Sequence, residues 1–297
     1  GVDGKPVAVV APGSGTSLSI EDLSQLPAAE RWPAALRMAR REAQQQFDLA
    51  RGPLLRALLL RLDARDHVLL LTFHHIVTDG WSEGVFYREL EALYAAFSNG
   101  RRSPLPVLPI QYADYAAWQR DFLQGEALET QRAYWRRALA GAPLTLDLAG
   151  DRPRPAIRTH RGAKQRVVLP EGLSESLRRL GRAEKATPFM TILAAFNVML
   201  MRYTGRDDIL VGTPIANRHR LEIESLIGFF VNTLVLRTDL SGDPTFRELL
   251  RRVRGVALDA YAHQDLPFET LVEDLRPPRD LGRTALFQVM VAHAATP

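Results

Sequence analysis

A chain of 297 residues with 46% hydrophobic and 24% charged residues has the composition of one large globular domain or two ordinary ones, which excludes a disordered tail. It contains no cysteine, so disulfides, thiolate metal sites and a cysteine nucleophile are excluded. The formal charge is +4, but 38 basic residues are interleaved with 34 acidic ones, which indicates solvated helix faces and argues against a nucleic-acid partner.

No apolar run in the sequence approaches the length that spans a bilayer, and no charged-then-apolar signal sequence opens the chain. We therefore predict a cytoplasmic protein with no membrane partner. Because the first residue is glycine, we also expect the sequence to be an internal excerpt of a longer chain.

The first half contains both strand-like and helical patterns. Two apolar runs around the polar turn at 63–66 predict a β-hairpin whose second strand ends at a pair of histidines. Apolar residues at helical spacing predict a helix directly after Gly80. In chain order we predict a strand over 6–10, a turn at Gly13-Ser14-Gly15, a helix over 28–46, strands over 54–62 and 67–73, the helix after Gly80, a loop over 103–109, and helices over 112–123 and 129–139.

Gly, Pro and Asp cluster at 141–155, where we place a domain boundary. This gives an N-terminal lobe over 1–150 and a C-terminal lobe over 151–297. In the second lobe we predict strands over 165–169, 209–215, 228–240 and 286–291, and helices over 173–180, 188–203, 245–262 and 267–275. The pattern indicates an α/β fold with mixed sheets in two lobes of similar size.

The sequence contains no nucleophile elbow, no phosphate-binding loop and no dinucleotide glycine pattern. The motif that remains as a candidate for chemistry is His74-His75-x-x-x-Asp79-Gly80. Side chains alternate along a strand, so only one of two adjacent histidines would point into a cleft. A glycine lets the chain turn tightly and brings backbone close to a ligand.

Three structural interpretations compete with catalysis at this motif. One histidine could be a core residue, Asp79 could cap a helix that starts near Trp81, or the histidines and Asp79 could bind zinc. Zinc is disfavoured because adjacent histidines on a strand diverge and no further Cys or His lies nearby, so we predict no metal site. On spacing alone, the catalytic and structural interpretations are equally supported.

Arg56 lies in the apolar run of the first hairpin strand, where an unpaired guanidinium would be costly to bury. It either occupies the solvent face or pairs with Asp79 and holds the loop that carries His75. In the second case Asp79 supports the site and is not a base, and removal of one partner would cost about 3–5 kcal/mol.

Several runs resemble, in family order, the motifs of condensation domains from nonribosomal peptide synthetases. Those of the first half are Phe47-Asp48-Leu49 with Gly52-Pro53-Leu54-Leu55-Arg56, His74-His75-Ile76-Val77-Thr78-Asp79-Gly80-Trp81-Ser82 and Tyr112-Ala113-Asp114-Tyr115-Ala116-Ala117-Trp118-Gln119. Those of the second half are Gly212-Thr213-Pro214-Ile215-Ala216-Asn217-Arg218, Ile227-Gly228-Phe229-Phe230-Val231-Asn232-Thr233-Leu234, His263-Gln264-Asp265-Leu266-Pro267-Phe268-Glu269 and Arg279-Asp280-Leu281-Gly282-Arg283-Thr284-Ala285-Leu286-Phe287-Gln288.

The resemblance implies two lobes related to chloramphenicol acetyltransferase, arranged as a V around a tunnel. It implies amide bond formation between a donor acyl or peptidyl thioester and an acceptor aminoacyl thioester. Both substrates would arrive on phosphopantetheine arms of carrier proteins, so the domain itself would bind no cofactor. An adenylation domain of the same synthetase would be a further partner, and the product would be an antibiotic or siderophore.

The resemblance also assigns roles to residues of this chain. The catalytic residues would be His75, Asp79, Gly80 and His74. Arg56 and Asp79 would support the site. Trp81, Ser82 and Asn232 would line the substrate tunnel. An imidazole, with an ordinary pKa of about 6.5, would take the proton of the attacking amine, would position that amine, or would stabilise the tetrahedral intermediate by hydrogen bonding. Backbone near Gly80 would polarise the thioester oxygen.

Other residues of these motifs have simpler explanations. We expect Tyr112, Tyr115 and Trp118 to be core anchors and His263 to end one helix and cap the next. Asn232 lies in an apolar run, where a buried amide needs partners, so it either lines the tunnel or serves local structure.

Two departures from the family pattern qualify the resemblance. The opening motif, rich in Ser, Gln, Leu and Trp, is missing, and the family continues past Phe287-Gln288, so we expect truncation at both ends. The form with Trp81-Ser82 resembles members that join an L-configured donor to an L-configured acceptor, and not epimerising or heterocyclising relatives.

A non-catalytic module that docks carrier proteins and a coenzyme A-dependent acyltransferase of the same superfamily remain as alternatives.

Overall fold

The computed structural model describes residues 7, 9, 17–148, 150, 157, 162–278, 280 and 282–293. Apart from Val7 and Val9, the predicted strand over 6–10 lies outside the described residues, as do the predicted turn at 13–15 and residues 151–155 of the predicted boundary. The chain forms two compact units. The first unit contains the described residues up to Leu108 together with Ser225–Phe229, and the second contains the others. A lobe boundary at residue 150 stays a prediction.

The first unit is built on a sheet with strand order β1-β2-β3. Its elements are β1 (Leu18–Asp22), α1 (Ala28–Gln44), β2 (Leu55–Arg61), β3 (His67–Phe73), a 3-10 turn (His75–Val77) and α2 (Gly80–Ser98). β1 pairs with β2 in parallel, and β2 pairs with β3 in antiparallel register, so the predicted hairpin is confirmed. Its core joins Ala35 of α1 to Leu60 and Leu62.

The hairpin and the following helix form where the sequence predicts them, for identifiable local reasons. The amide groups of Leu62 and Asp63 donate to the carbonyl of Asp66 at 2.8 and 3.0 Å, which closes the polar turn between β2 and β3. Asp79 caps α2. Residues 103–109 have no helix or strand, as predicted.

The second unit carries an antiparallel pair of strands with helices packed against it. Its elements are α3 (Tyr112–Phe122), α4 (Gly125–Ala138), α5 (Glu171–Ala183), α6 (Pro188–Thr204), β4 (Asp208–Ile215), α7 (Leu221–Glu224), β5 (Asn232–Asp239), α8 (Phe246–Ala262) and α9 (Phe268–Leu275). Leu193, Ile209, Leu236 and Val253 lie in its buried core. All the helices predicted for this part of the chain are confirmed within a few residues.

Two strands predicted in the second half are wrong, and a third is shorter than predicted. Residues 165–169 form no strand, and Val167 and Val168 are each 75% exposed. A short apolar run forms a strand only where a neighbouring strand is available to pair with it. Residues 286–291 contribute only an isolated bridge between Met290 and Gly212. Leu286 has φ of 67°, a left-handed conformation that a strand cannot contain. The predicted strand over 228–240 begins only at Asn232.

Within the described part of the chain, no helix combines the length and the apolar character that crossing a bilayer requires.

Candidate active site

His74 belongs to the loop structure that follows β3. The strand ends at Phe73, so the argument from alternating strand faces does not apply to the histidine pair. The amide of His74 donates to the carbonyl of Leu54 at 2.9 Å, and its Nδ1 accepts from the amide of Ile76 at 3.1 Å. Its ring meets Phe47 edge-on with centroids 5.6 Å apart. These contacts give His74 a role in holding the loop.

The two ring nitrogens of His75 have different surroundings. Its Nδ1 lies 2.5 Å from the carbonyl oxygen of Thr78. A carbonyl only accepts hydrogen bonds, so Nδ1 carries the proton, and in the neutral ring Nε2 has a lone pair. The side chain is exposed, and Nε2 has no hydrogen-bond partner among the residues that the structure describes. His75 can therefore accept a proton or a hydrogen bond at Nε2.

Two further contacts of His75 escape prediction from the sequence. The buried Thr78 supplies the carbonyl that orients the imidazole. The ring of Phe229 stands at 89° to that of His75, with centroids 5.2 Å apart. The family motif at 227–234 includes Phe229, but the sequence does not show that Phe229 contacts His75.

Asp79 is the N-cap of α2. It is 3% exposed, and its Oδ1 accepts a hydrogen bond from the amide of Ser82 at 2.8 Å. Its carbonyl accepts from the amide of Glu83 at 3.0 Å. The helix-cap interpretation of Asp79 is thus confirmed, and this contact fixes the point where the histidine loop passes into the helix.

The predicted pair of Arg56 with Asp79 is wrong. Among the described residues, the carboxylate partner of Arg56 is Glu42, at 2.5 Å from Nε. The guanidinium also donates to carbonyl groups at the C-terminal end of α1, those of Glu42, Gln45 and Gln46. These orphan carbonyls and the negative end of the helix dipole attract a cation, which explains the choice of partner.

Arg56 still has a connection to the histidine loop. Its guanidinium lies 3.9 Å above the centroid of the Phe47 ring, and that ring packs against His74. Support from Arg56 therefore passes through Phe47 and not through Asp79.

Replacement of Arg56 by lysine is expected to lower the free energy of unfolding by about 1–3 kcal/mol, because an ammonium cannot serve several acceptors in the plane of a guanidinium. The midpoint of urea unfolding measures the loss. Arg51→Lys is the control, since that side chain is 87% exposed and its ion pair with Asp48 is long at 3.8 Å. Equal midpoints for the two variants would contradict the multiple bonding of Arg56.

Gly80 is not required for a tight turn, contrary to our prediction. It is the first residue of α2, and it is not one of the glycines with positive φ. A Cβ added to it would meet nothing within 4 Å. The proposal that remains is that the absence of a side chain keeps space open for a ligand at the exposed start of α2.

Gly80→Ala tests that space directly. We expect a melting temperature equal to or above that of the wild type, because alanine is favoured over glycine in a helix by up to about 1 kcal/mol. We expect kcat/KM for amide bond formation, the reaction that the motif resemblance implies, to fall about tenfold or more if substrate backbone occupies the space. An unchanged kcat/KM would show that the space is not used.

The tunnel assignment of Ser82 is contradicted by its burial. Ser82 is 0% exposed. Its hydroxyl donates to the carbonyl of Gly228 at 2.8 Å and accepts from the amide of Gly228 at 3.0 Å. Trp81 is 44% exposed, and its contact with substrate stays a prediction.

Asn232 serves local structure, so its alternative role in the tunnel is not supported. Its Nδ2 donates to the carbonyls of Gln264 and Leu266 at 2.9 and 2.8 Å. Its Oδ1 accepts from the amides of Thr233 and Phe268 at 2.8 and 3.0 Å. The amide group thereby holds the connection between α8 and α9 and satisfies the first amide of α9.

The aromatic residues of α3 divide into buried and exposed ones. Tyr115 is buried, and burial first, then unfavourable electrostatic interaction with Tyr112 and Asp265, raises the pKa of its phenol to about 12. Its hydroxyl accepts from Nδ2 of Asn217 at 3.3 Å. Trp118 is 37% exposed, so its prediction as a core anchor is wrong. It stacks on Phe122 instead.

His263 ends α8, as predicted, but it does not cap the next helix. Its amide donates to Ala260 and its ring contacts the carbonyl of Asp259 at 2.8 Å. The first amide of α9 is bonded to Asn232. The imidazole stacks on Tyr134 with centroids 3.9 Å apart. No group of three or more His, Asp or Glu side chains that could hold a metal occurs in the described ranges.

Comparison with known proteins agrees with the motif order. A family model described as Condensation domain matches residues 2–296. The chain belongs to the condensation-domain family. A linear gramicidin synthase protein from Brevibacillus parabrevis is 54% identical over 97% of this condensation domain, which spans only 4% of that relative's length.

Solved structures confirm the predicted α/β fold of this condensation domain. The X-domain from teicoplanin biosynthesis aligns with 92% of the chain and 60% of its own, at a TM-score of 0.83 and 35% identity. The first condensation domain of the CDA synthetase aligns with 98% of the chain and 64% of its own, at a TM-score of 0.70 and 26% identity. The mixed helices and small sheets thus follow the fold that is related to chloramphenicol acetyltransferase.

Proposed function

We propose that this condensation domain forms an amide bond between a donor acyl or peptidyl thioester and an acceptor aminoacyl thioester. The observation that carries the proposal is the geometry of His75. Its Nδ1 proton is held by the carbonyl of Thr78, and its Nε2 is available in the 3-10 turn that precedes α2. The relation to the linear gramicidin synthase proteins supports a role within a peptide synthetase.

The chemistry requires no enzyme nucleophile. The acceptor amine attacks the donor thioester carbon, a C–N bond forms, and the C–S bond breaks with release of the donor carrier's thiol. The nitrogen becomes acidic as the new bond forms, so Nε2 of neutral His75 can take its proton or hold the amine in line. The proton then passes to the leaving thiolate. This scheme agrees with a sequence that contains no cysteine.

The substrates in this proposal arrive on phosphopantetheine arms of a donor and an acceptor carrier protein, with an adenylation domain as neighbour in the synthetase. The domain itself binds no cofactor in this scheme. Trp81, which is exposed one residue after Gly80, is the candidate contact for substrate.

The test supplies the domain with a donor carrier and an acceptor carrier, each loaded with an L-amino acid from a panel, and measures the dipeptide on the acceptor by mass spectrometry. We expect product only when both loaded carriers are present. Binding of both carriers without product for any pair would favour the docking module. Turnover with an acyl-coenzyme A and a free amine would favour the acyltransferase.

A further inference from the structure

A buried hydroxyl connects the start of α2 with the segment Ser225–Phe229 of the same unit. Ser82 both donates to the carbonyl and accepts from the amide of Gly228. Two opposed hydrogen bonds to one residue fix the position and the orientation of its backbone. Because Ser82 is fully buried, neither bond competes with water.

The residue held next to this bond contacts the reactive histidine. Phe229 follows Gly228 directly, and its ring packs against the imidazole of His75. On its other side the imidazole is bonded to Thr78. The orientation of His75 therefore depends on two groups, a carbonyl in its own loop and a ring carried by a distant segment.

Ser82 also contacts the histidine loop itself. Its amide donates to Oδ1 of Asp79, which follows Thr78 in the chain. Ser82 is thus bonded to a chain neighbour of each group that holds the imidazole, to Asp79 through its backbone amide and to Gly228 through its hydroxyl. We propose that Ser82 is a positioning residue for His75, acting through Gly228 and Phe229. This inference rests on the proposed function and adds a residue that does not touch substrate.

Ser82→Ala is expected to lower kcat roughly 10-fold to 100-fold, because a small displacement of a reacting group costs rate on that scale. The KM for the loaded acceptor carrier should stay within about twofold, since a buried hydroxyl makes no contact with a carrier or its arm.

Phe229→Leu supplies a second route to the same test if the alanine variant folds poorly. It retains apolar volume but removes the ring that faces His75. We expect a similar loss of kcat, and the double variant should lose no more than the more impaired single variant, because both act through one contact. Losses that multiply in the double variant would overturn the proposal.

The orientation of His75 can be measured without catalysis. In protein labelled with [15N]histidine, NMR should show the Nδ1-protonated neutral tautomer for His75, with its signal identified from a His75→Gln sample. In Ser82→Ala we expect this signal to broaden or shift toward a tautomer mixture. If the wild type forms no dipeptide, the proposed function fails, while this experiment still decides whether Ser82 orients His75.

Thr238→Val is the matched control. Its hydroxyl is also fully buried and accepts a hydrogen bond from Nδ2 of Asn197 at 3.0 Å, in the second unit. We expect a lower melting temperature with unchanged kcat and unchanged His75 signals. The proposal is overturned if Ser82→Ala leaves kcat and these signals unchanged, or if Thr238→Val impairs kcat equally for the same loss of melting temperature.

Discussion

Replacement of His75 by alanine is expected to lower the rate of dipeptide formation by about 10²- to 10⁴-fold, which is the usual contribution of a general acid–base side chain. The fold should tolerate the change. The side chain is exposed, and the variant removes one hydrogen bond to the Thr78 carbonyl, which costs about 1 kcal/mol. The rate is measured with two loaded carriers at a temperature at which circular dichroism shows both proteins to be folded.

Two amide variants separate the roles of the imidazole nitrogens. The amide nitrogen of His75→Asn can take the place of Nδ1 and donate to Thr78, but nothing replaces Nε2. The terminal amide of His75→Gln can instead reach the place of Nε2 and form a hydrogen bond there without accepting a proton. Loss of activity in both variants indicates proton transfer, whereas substantial activity in His75→Gln alone indicates positioning of the amine. Full activity in His75→Ala would refute any catalytic role.

Replacement of Asn232 by leucine is expected to lower the free energy of unfolding by about 2–4 kcal/mol. The substitution keeps the volume but leaves two carbonyls and two amides without the partners that Asn232 provides. Because the site is buried, water does not replace these bonds, and unsatisfied groups are costly. Urea unfolding should show a lower midpoint with an unchanged slope.

Asn99→Ala is the control for this loss. The Asn99 side chain donates to the carbonyl of Ala95 at 2.7 Å in an exposed position, so its removal should change stability by no more than about 0.5 kcal/mol. If Asn232 contacted substrate, its variant would lose activity under conditions in which it is fully folded. Normal activity of folded Asn232→Leu together with a lowered midpoint would confirm the structural role.

Local patterns predicted most of the secondary structure. The hairpin of β2 and β3 and the helices of the second unit follow from apolar periodicity. Residues 165–169 and 286–291 also contain short apolar runs, yet they form no strand. A strand needs a partner with free backbone groups, and that partner is not encoded in the local sequence.

In the candidate site as well, a contact between residues close in the chain was predictable, whereas a contact that depends on packing was not. The helix cap at Asp79 involves residues three positions apart, which sequence spacing can show. The partner of Arg56 was missed because the C-terminal end of α1 and Asp79 are both reasonable acceptors by charge, and only the packing of α1 against the sheet decides between them.

By itself, the sequence determined the family, the helices of the second unit and the helix cap at Asp79, because each rests on motifs, periodicity or spacing within short stretches of the chain. Only the tertiary structure decided that Phe229 packs on the ring of His75 and that Ser82 is buried against Gly228. Ser82 and Gly228 are 146 residues apart. Contacts of this kind depend on the path that the folded chain takes, and neither periodicity nor motif spacing predicts that path.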